Sequence, residues 1–353
     1  MTVNGSDTRE TGPQATSAAR ANSAGRTGEL VRAALNAAHD DAIDPVERAE
    51  MLMEIAMGLQ LRPKAADQLR AAVHLCDKAL DLCPEDAPLL AARLRARRGT
   101  AFQAIRGEGT AELERAREAY ESAIPVLNRL GTAQETAEAE MNLGLVLQQL
   151  AAEGRARIAD AIAAYQRSLR TFDAKRYPVE YVLLQNNLAT AFLSMPLSDE
   201  RAKIREALAV QCFEEGLKIV TLVDHPVEYA MLQNNLGNAL QYASSSHIVE
   251  NNLCALAAYD EALRVRKPAT MPIEYANTIA NKANCLSNLP DDPGRPDAGN
   301  RDKLLQAKAL YEEAREIFLR HGEDEKAALV AHAVAQLAAE LEAQSYRPGI
   351  THE

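Results

Sequence analysis

Tryptophan is absent from this 353-residue sequence, and aromatic residues make up only 4% of it. That scarcity argues against sandwich and barrel folds, whose strands draw on aromatic and β-branched side chains. No stretch approaches the roughly 18 consecutive apolar residues of a membrane span, and the first 26 residues lack the apolar core of a secretory signal. A cytoplasmic location without membrane contact is therefore expected. Positive charge is also short: 39 Lys and Arg stand against 50 Asp and Glu, for a net charge of −11. Nucleic acid would have to be held by a local basic patch against the field of the whole chain, so no nucleic-acid partner is expected. The densest such patch, Arg93, Arg95, Arg97 and Arg98, reads as a solvated helix edge beside Glu112 and Glu114.

Catalytic and metal motifs are missing too. There is no GxxxxGK[ST], GxSxG or HExxH, and the seven histidines are scattered without ligand spacing. Five cysteines form no C-x-x-C or zinc-ribbon pattern, and they read as reduced, mostly buried thiols. No catalytic residue, metal or cofactor is expected, and the chain reads as a non-enzyme.

Repetition is what the sequence does contain. PVEYVLLQNNLATAF from Pro178, PVEYAMLQNNLGNAL from Pro226 and PIEYANTIANKANCL from Pro272 are near-copies, spaced 48 and 46 residues apart. Recurrence at such a period marks stacked helical units that cannot bury a core singly. A second pattern lies between them, a small residue, an aromatic four on and a small residue three further. It occurs as Ala116/Tyr120/Ala123, Ala161/Tyr165/Ser168, Ala209/Phe213/Gly216, Ala255/Tyr259/Ala262 and Ala307/Tyr311/Ala314, with Ala72/Cys76/Ala79 as an earlier form lacking the aromatic. The spacing i, i+4, i+7 lies along one helical stripe and predicts the second helix of each of six hairpins.

First helices are expected to begin near Pro45, Pro88, Gln134, Pro178, Pro226 and Pro272, and a last helix to run from about Glu323 to Ala343. Proline suits a first turn because its missing N–H would go unpaired there, and Glu47, Glu180, Glu228 and Glu274 can offset the helix dipole or supply half of a capping box. Residues 1–26 carry almost no large apolar side chains and read as a disordered tail. A short helix N-capped by Thr27 then opens a repeat domain over 27–343, and 344–353 form a C-terminal tail.

QNNLGNAL from Gln233, followed by ALAAYDEAL from Ala255, resembles the tetratricopeptide repeat, with weaker copies at QNNLATAF from Gln185, MNLGLVL from Met141 and RRGTAFQAI from Arg97. ANKANCL from Ala280 departs from the pattern by placing Lys282 where the repeat has leucine. The resemblance covers about residues 45–343, and the units are longer than the usual repeat of about 34 residues. In this respect they are similar to those of kinesin light chains and of many bacterial repeat proteins. The resemblance implies an all-α, right-handed superhelical solenoid of about six hairpins plus capping helices, a protein or peptide partner, and a concave groove lined by first helices.

On that reading the groove residues are Asn186, Thr190, Asn234, Asn238, Gln241, Asn277, Asn284 and Asn288, with Lys282 offering one charge to an acidic ligand. Met141, Leu145, Leu183 and Met231 give the groove apolar ground. Rows of carboxamides suit an extended peptide because each both donates and accepts. Against this, the second amide of each pair, Asn187, Asn235 and Asn281, is as well explained by bonding to the neighbouring hairpin. The loop 289–302 is the connection most suited to a contact role, and the outer side of the last helix leaves self-association open. Two functions fit: a scaffold or adaptor that assists assembly of a larger complex, or a regulatory receptor for a short signalling peptide or small effector.

Overall fold

The computed structural model describes residues 13–61, 63, 66–105, 109–196, 200–244, 247–295 and 299–345. Among them are fourteen α-helices and no strand, as the composition predicts. A leading helix, α1 (Pro13–Ala38), is followed by six helix pairs: α2 (Pro45–Leu61) with α3 (Ala66–Leu82), α4 (Pro88–Ala104) with α5 (Ala111–Leu130), α6 (Ala133–Ala152) with α7 (Ile158–Ser168), α8 (Pro178–Leu193) with α9 (Glu200–Leu217), α10 (Pro226–Gln241) with α11 (Ile248–Val265), and α12 (Pro272–Ser287) with α13 (Arg301–Arg320). The last helix is α14 (Asp324–Ser345). The chain divides into two compact units, Met1–Thr171 with α1–α7 and Phe172–Glu353 with α8–α14.

The hairpin register is the one the sequence implies. Prolines open α4, α8, α10 and α12, and Glu180, Glu228 and Glu274 lie in the first turns of the last three. None of these four starts has a side-chain cap, so the glutamates act on the dipole and do not complete a capping box. The capping box occurs instead on α6, which lacks a proline: Thr132 and Glu135 bond each other's backbone N–H. One expectation needs correcting. The first helix begins at Pro13, not after Thr27, so of the segment read as a tail, residues 13–26 are helical and 1–12 lie outside the described residues. Thr27 is a buried mid-helix residue. Most of the C-terminal tail, 346–353, also lies outside the described residues.

Each core is built from the small–aromatic–small stripe. Tyr120, Tyr165, Phe213 and Tyr259 are at most 1% exposed, and the small residues of the stripe in α5, α7 and α11 are fully buried. In the first unit α1–α4 enclose a cluster that includes Leu52, Leu75, Cys76 and Leu94. In the second, Val182, Phe213, Val220 and Leu232 form one cluster and Ile279, Leu304, Ile317 and Phe318 another.

The cysteines follow this burial. Burial pushes the thiols of Cys76 and Cys285 up to about 12 and that of Cys212 to about 11, whereas Cys254 is exposed. Ellman's reagent at pH 8 is therefore expected to modify Cys254 rapidly in the native protein, and Cys76 and Cys285 only after denaturant is added.

Candidate peptide interface

The predicted amides lie on α8, α10 and α12 of the second unit, and the structure separates them into three groups. The first is a chain of carboxamides running between adjacent first helices. Asn281 Nδ2 donates to Asn234 Oδ1 (3.3 Å), Asn234 Nδ2 to Asn235 Oδ1 (3.0 Å), Asn235 Nδ2 to Asn186 Oδ1 (2.8 Å) and Asn186 Nδ2 to Asn187 Oδ1 (3.3 Å). Every bond has the same donor-to-acceptor sense. Asn235 and Asn281 thus reach the neighbouring hairpin. Asn186 and Asn234, expected to face the groove, are only 9% and 7% exposed and receive those bonds. A buried amide between helices has to be satisfied, and the paired-Asn motif satisfies it from the next repeat.

The second group serves the tyrosines of the hairpin cores. Tyr259 Oη lies 2.8 Å from both Asn238 Oδ1 and Gln241 Oε1, and Gln241 Nε2 is buried without a partner. One hydroxyl has one proton, so an amide orientation with Gln241 Nε2 toward the tyrosine lets that hydroxyl donate to Asn238 and accept from Gln241. The same device recurs in the first unit. Tyr120 bonds Thr100 (3.1 Å) and Gln103 (3.3 Å), and Tyr165 bonds Gln148 (2.8 Å). In each case a glycine four residues before the glutamine, Gly99, Gly144 or Gly237, leaves room for the ring. Where the aromatic is Phe213, with no hydroxyl, the equivalent residues are Ala189 and Leu193. Gly-x-x-x-Gln was thus a legible signal that reassigns Gln241 and Asn238 to packing.

The third group is more open. Asn277 is half-buried on α12; Asn284 donates to the hydroxyl of Tyr242, whose side chain is 68% exposed; and Asn288, exposed at the end of the helix, donates to Asn284 O (2.7 Å). Tyr242 was missed in the sequence because it falls at a helix end outside the repeat motif. Thr190 donates to Asn187 O of its own helix (3.0 Å). Lys282 is held by the carboxylate of Asp260 on α11, which removes the charge expected for an acidic ligand. Leu183 and Met231 are half-buried on their helices, and Met231 packs against the core cluster of Val182, Phe213 and Leu232.

In the first unit the links between first helices are ionic: Arg93 pairs with Glu135 (2.6 Å) and Arg97 with Glu138 (3.2 Å), around a cavity of about 40 Å³ that also touches Thr100 and Asn142. Such a space suits about one water molecule. Arg98 pairs with Asp77, so three of the four arginines in the basic patch are already neutralised. A larger cleft of about 630 Å³ is rimmed by Arg117, Arg155, Arg157 and Arg167. These too hold carboxylates, those of Glu114, Asp160 and Glu140. The loop 289–302 uses one of its acidic residues as a cap: Asp291 accepts from the backbone N–H of Asp302 (3.2 Å) and Lys303 (2.9 Å) at the start of α13. Residues 296–298 of that loop lie outside the described residues.

Paired helices, a buried small–aromatic–small stripe and a facing glycine define an all-α helical-repeat protein. No family model matches the sequence, and no curated protein matches it. Among solved structures, BtubC (BKLC) from P. vanneervenii is similar at 19% identity and a TM-score of 0.48, over 70% of this chain and 91% of that one. The C-terminal part of a TPR repeat-containing protein from Cytophaga hutchinsonii is similar at 15% identity and a TM-score of 0.47, over 83% and 95%. The TPR2AB domain of yeast Sti1, in its complex with pHSP90, has 15% identity and a TM-score of 0.29, over 83% and 99%. The repeat plan itself rests on this chain's own hairpin register.

Proposed function

We propose that this chain is a non-enzymatic scaffold that binds a protein segment in extended form along the first helices of its second unit. The observation that carries this reading is the one-way amide chain from Asn281 to Asn187. Asn281, Asn234, Asn235 and Asn186 each spend one N–H on a neighbour, Asn187 only accepts, and an amide nitrogen has two N–H groups. The half-buried members, Asn187, Asn235 and Asn281, thus carry donors suited to the carbonyls of a peptide backbone, which binds without its side chains being read. Asn277, Asn284 and the exposed ring of Tyr242 extend that surface, while Asn186, Asn234, Asn238 and Gln241 support it from beneath.

The regulatory-receptor reading is favoured by one feature. The amide chain ties three successive hairpins, so a ligand that competes for its bonds shifts their spacing. Assembly of a larger complex is the corresponding adaptor role. Among the described residues no helix is long and apolar enough to cross a membrane.

The test is to pan a displayed random-peptide library on the protein and on a variant carrying Asn277→Ala, Asn284→Ala and Tyr242→Ala. Peptides that bind the first and lose at least about tenfold in affinity for the second, equivalent to about 1.4 kcal/mol, support the interface. Equal binding to both removes it. A ligand-dependent change in the distance between probes on α8 and α12 distinguishes the receptor from the passive scaffold.

A further inference from the structure

Arg266 is the buried cation that this fold does not explain. It is 8% exposed at the C-terminal cap of α11. Its Nη1 donates to Thr278 Oγ1 (2.8 Å), and the threonine hydroxyl gives its own proton to Glu274 O (2.8 Å). Nε is buried with no acceptor, and among the described residues Arg266 belongs to no ion pair. Arg93, Arg97, Arg98 and Arg167 each hold a carboxylate. A guanidinium stays charged at any physiological pH, and burying it without a counter-charge is costly.

The repeat register shows that packing does not require it. Arg266 lies six residues before the first residue of α12, and the same place before α6, α8, α10 and α14 is occupied by Leu127, Phe172, Val220 and Phe318, each 2% exposed. Thr278 lies six residues after the start of α12, where α4, α6, α8, α10 and α14 have Leu94, Ala139, Leu184, Leu232 and Val330. Two positions that share an apolar cluster elsewhere, as Val220 with Leu232 and Phe318 with Val330, have become polar together in this hairpin.

We propose that Arg266 and Thr278 form a receiving site for an oxyanion, a carboxylate or phosphate carried by a ligand. With Nη1 fixed by Thr278, Nε is left without an acceptor, and Nε together with Nη2 is the two-donor edge that matches two oxygens of one carboxylate or phosphate. Glu274, exposed in the first turn of α12, makes no ion pair with the guanidinium, and its negative charge repels an incoming anion. The site is independent of the amide chain, and the peptide interface can fail while this site stands.

The experiment titrates the full chain with inorganic phosphate against chloride at matched ionic strength. The readouts are the Arg266 Nε–H resonance, assigned by its loss in Arg266→Val, and the thermal midpoint. That variant restores the residue found at Val220, so it is expected to fold. The expected result is a saturable shift of the resonance, a rise in midpoint of about 2–4 °C in the native chain and none in Arg266→Val, and at least several-fold tighter phosphate binding in Glu274→Gln. A second arm compares a short peptide acid with its C-terminal amide: a shift with the acid alone assigns the oxyanion to a peptide carboxylate, and a shift with phosphate alone assigns it to a phosphate group. Absence of any saturable shift, or an equal rise in midpoint in the native chain and Arg266→Val, leaves Arg266 solvated by water only and overturns the proposal.

Discussion

Gly144→Ala is expected to destabilise the first unit by about 2–3 kcal/mol, as overpacking of a filled core does. The added Cβ would meet Tyr165 at 2.4 Å from Cε1 and 2.6 Å from Cδ1. Tyr165 cannot retreat easily, because it is fully buried and its hydroxyl is tied to Gln148 at 2.8 Å. Helix propensity works in the opposite direction, favouring alanine by about 1 kcal/mol, so the loss measures the clash net of that gain. Gly58→Ala supplies the control: it is helical and exposed, and its Cβ would meet nothing within 4 Å. It should stabilise by about 0.5–1 kcal/mol. Urea unfolding followed by helical circular dichroism reads both changes as shifts in midpoint at constant slope. A Gly144→Ala midpoint at or above that of the native chain would refute the close approach.

Asn234→Leu is expected to cost about 2–4 kcal/mol in the second unit although leucine has the same branched arrangement of four side-chain heavy atoms. Asn234 accepts from Asn281 and donates to Asn235, so its loss strands a donor on one helix and an acceptor beside it. An unmade bond to a buried amide costs about 1–3 kcal/mol, more than the bond itself contributes. The chain makes a sharper statement than the single substitution. Removing Asn234 and Asn235 together should cost clearly less than the sum of the two single losses, with a coupling of at least about 0.5 kcal/mol. Additive losses in that double-mutant cycle would mean that the amides act separately and that the one-way chain has no collective role.

Much of this was legible beforehand because repetition removes ambiguity. Six copies of the i, i+4, i+7 stripe and five prolines at helix starts place the hairpins, and α2, α4, α8, α10 and α12 begin at the residues expected. The amides were harder. A helical projection of α10 puts Asn234 and Asn238 on one stripe, and that stripe looks like a ligand face, yet Asn234 is 7% exposed and Asn238 bonds the tyrosine of the second helix. Projection reports direction around one helix, whereas burial depends on how near the next helix lies. Lys282 shows the same limit, since its charge is visible in the sequence and its partner Asp260, 22 residues away, is not.

By itself, then, the sequence determined the helix pairs, their register, their apolar cores and the want of catalytic motifs, all of which follow from local periodicity and composition. Only the tertiary structure decided which polar groups are spent. It bound Asn186 and Asn234 between repeats, gave Gln241 to Tyr259, neutralised Lys282 and left Arg266 Nε without an acceptor. The physical reason is that hydrogen bonds and ion pairs are settled by distances of about 3 Å between residues far apart in sequence. Those distances are fixed by how the hairpins stack.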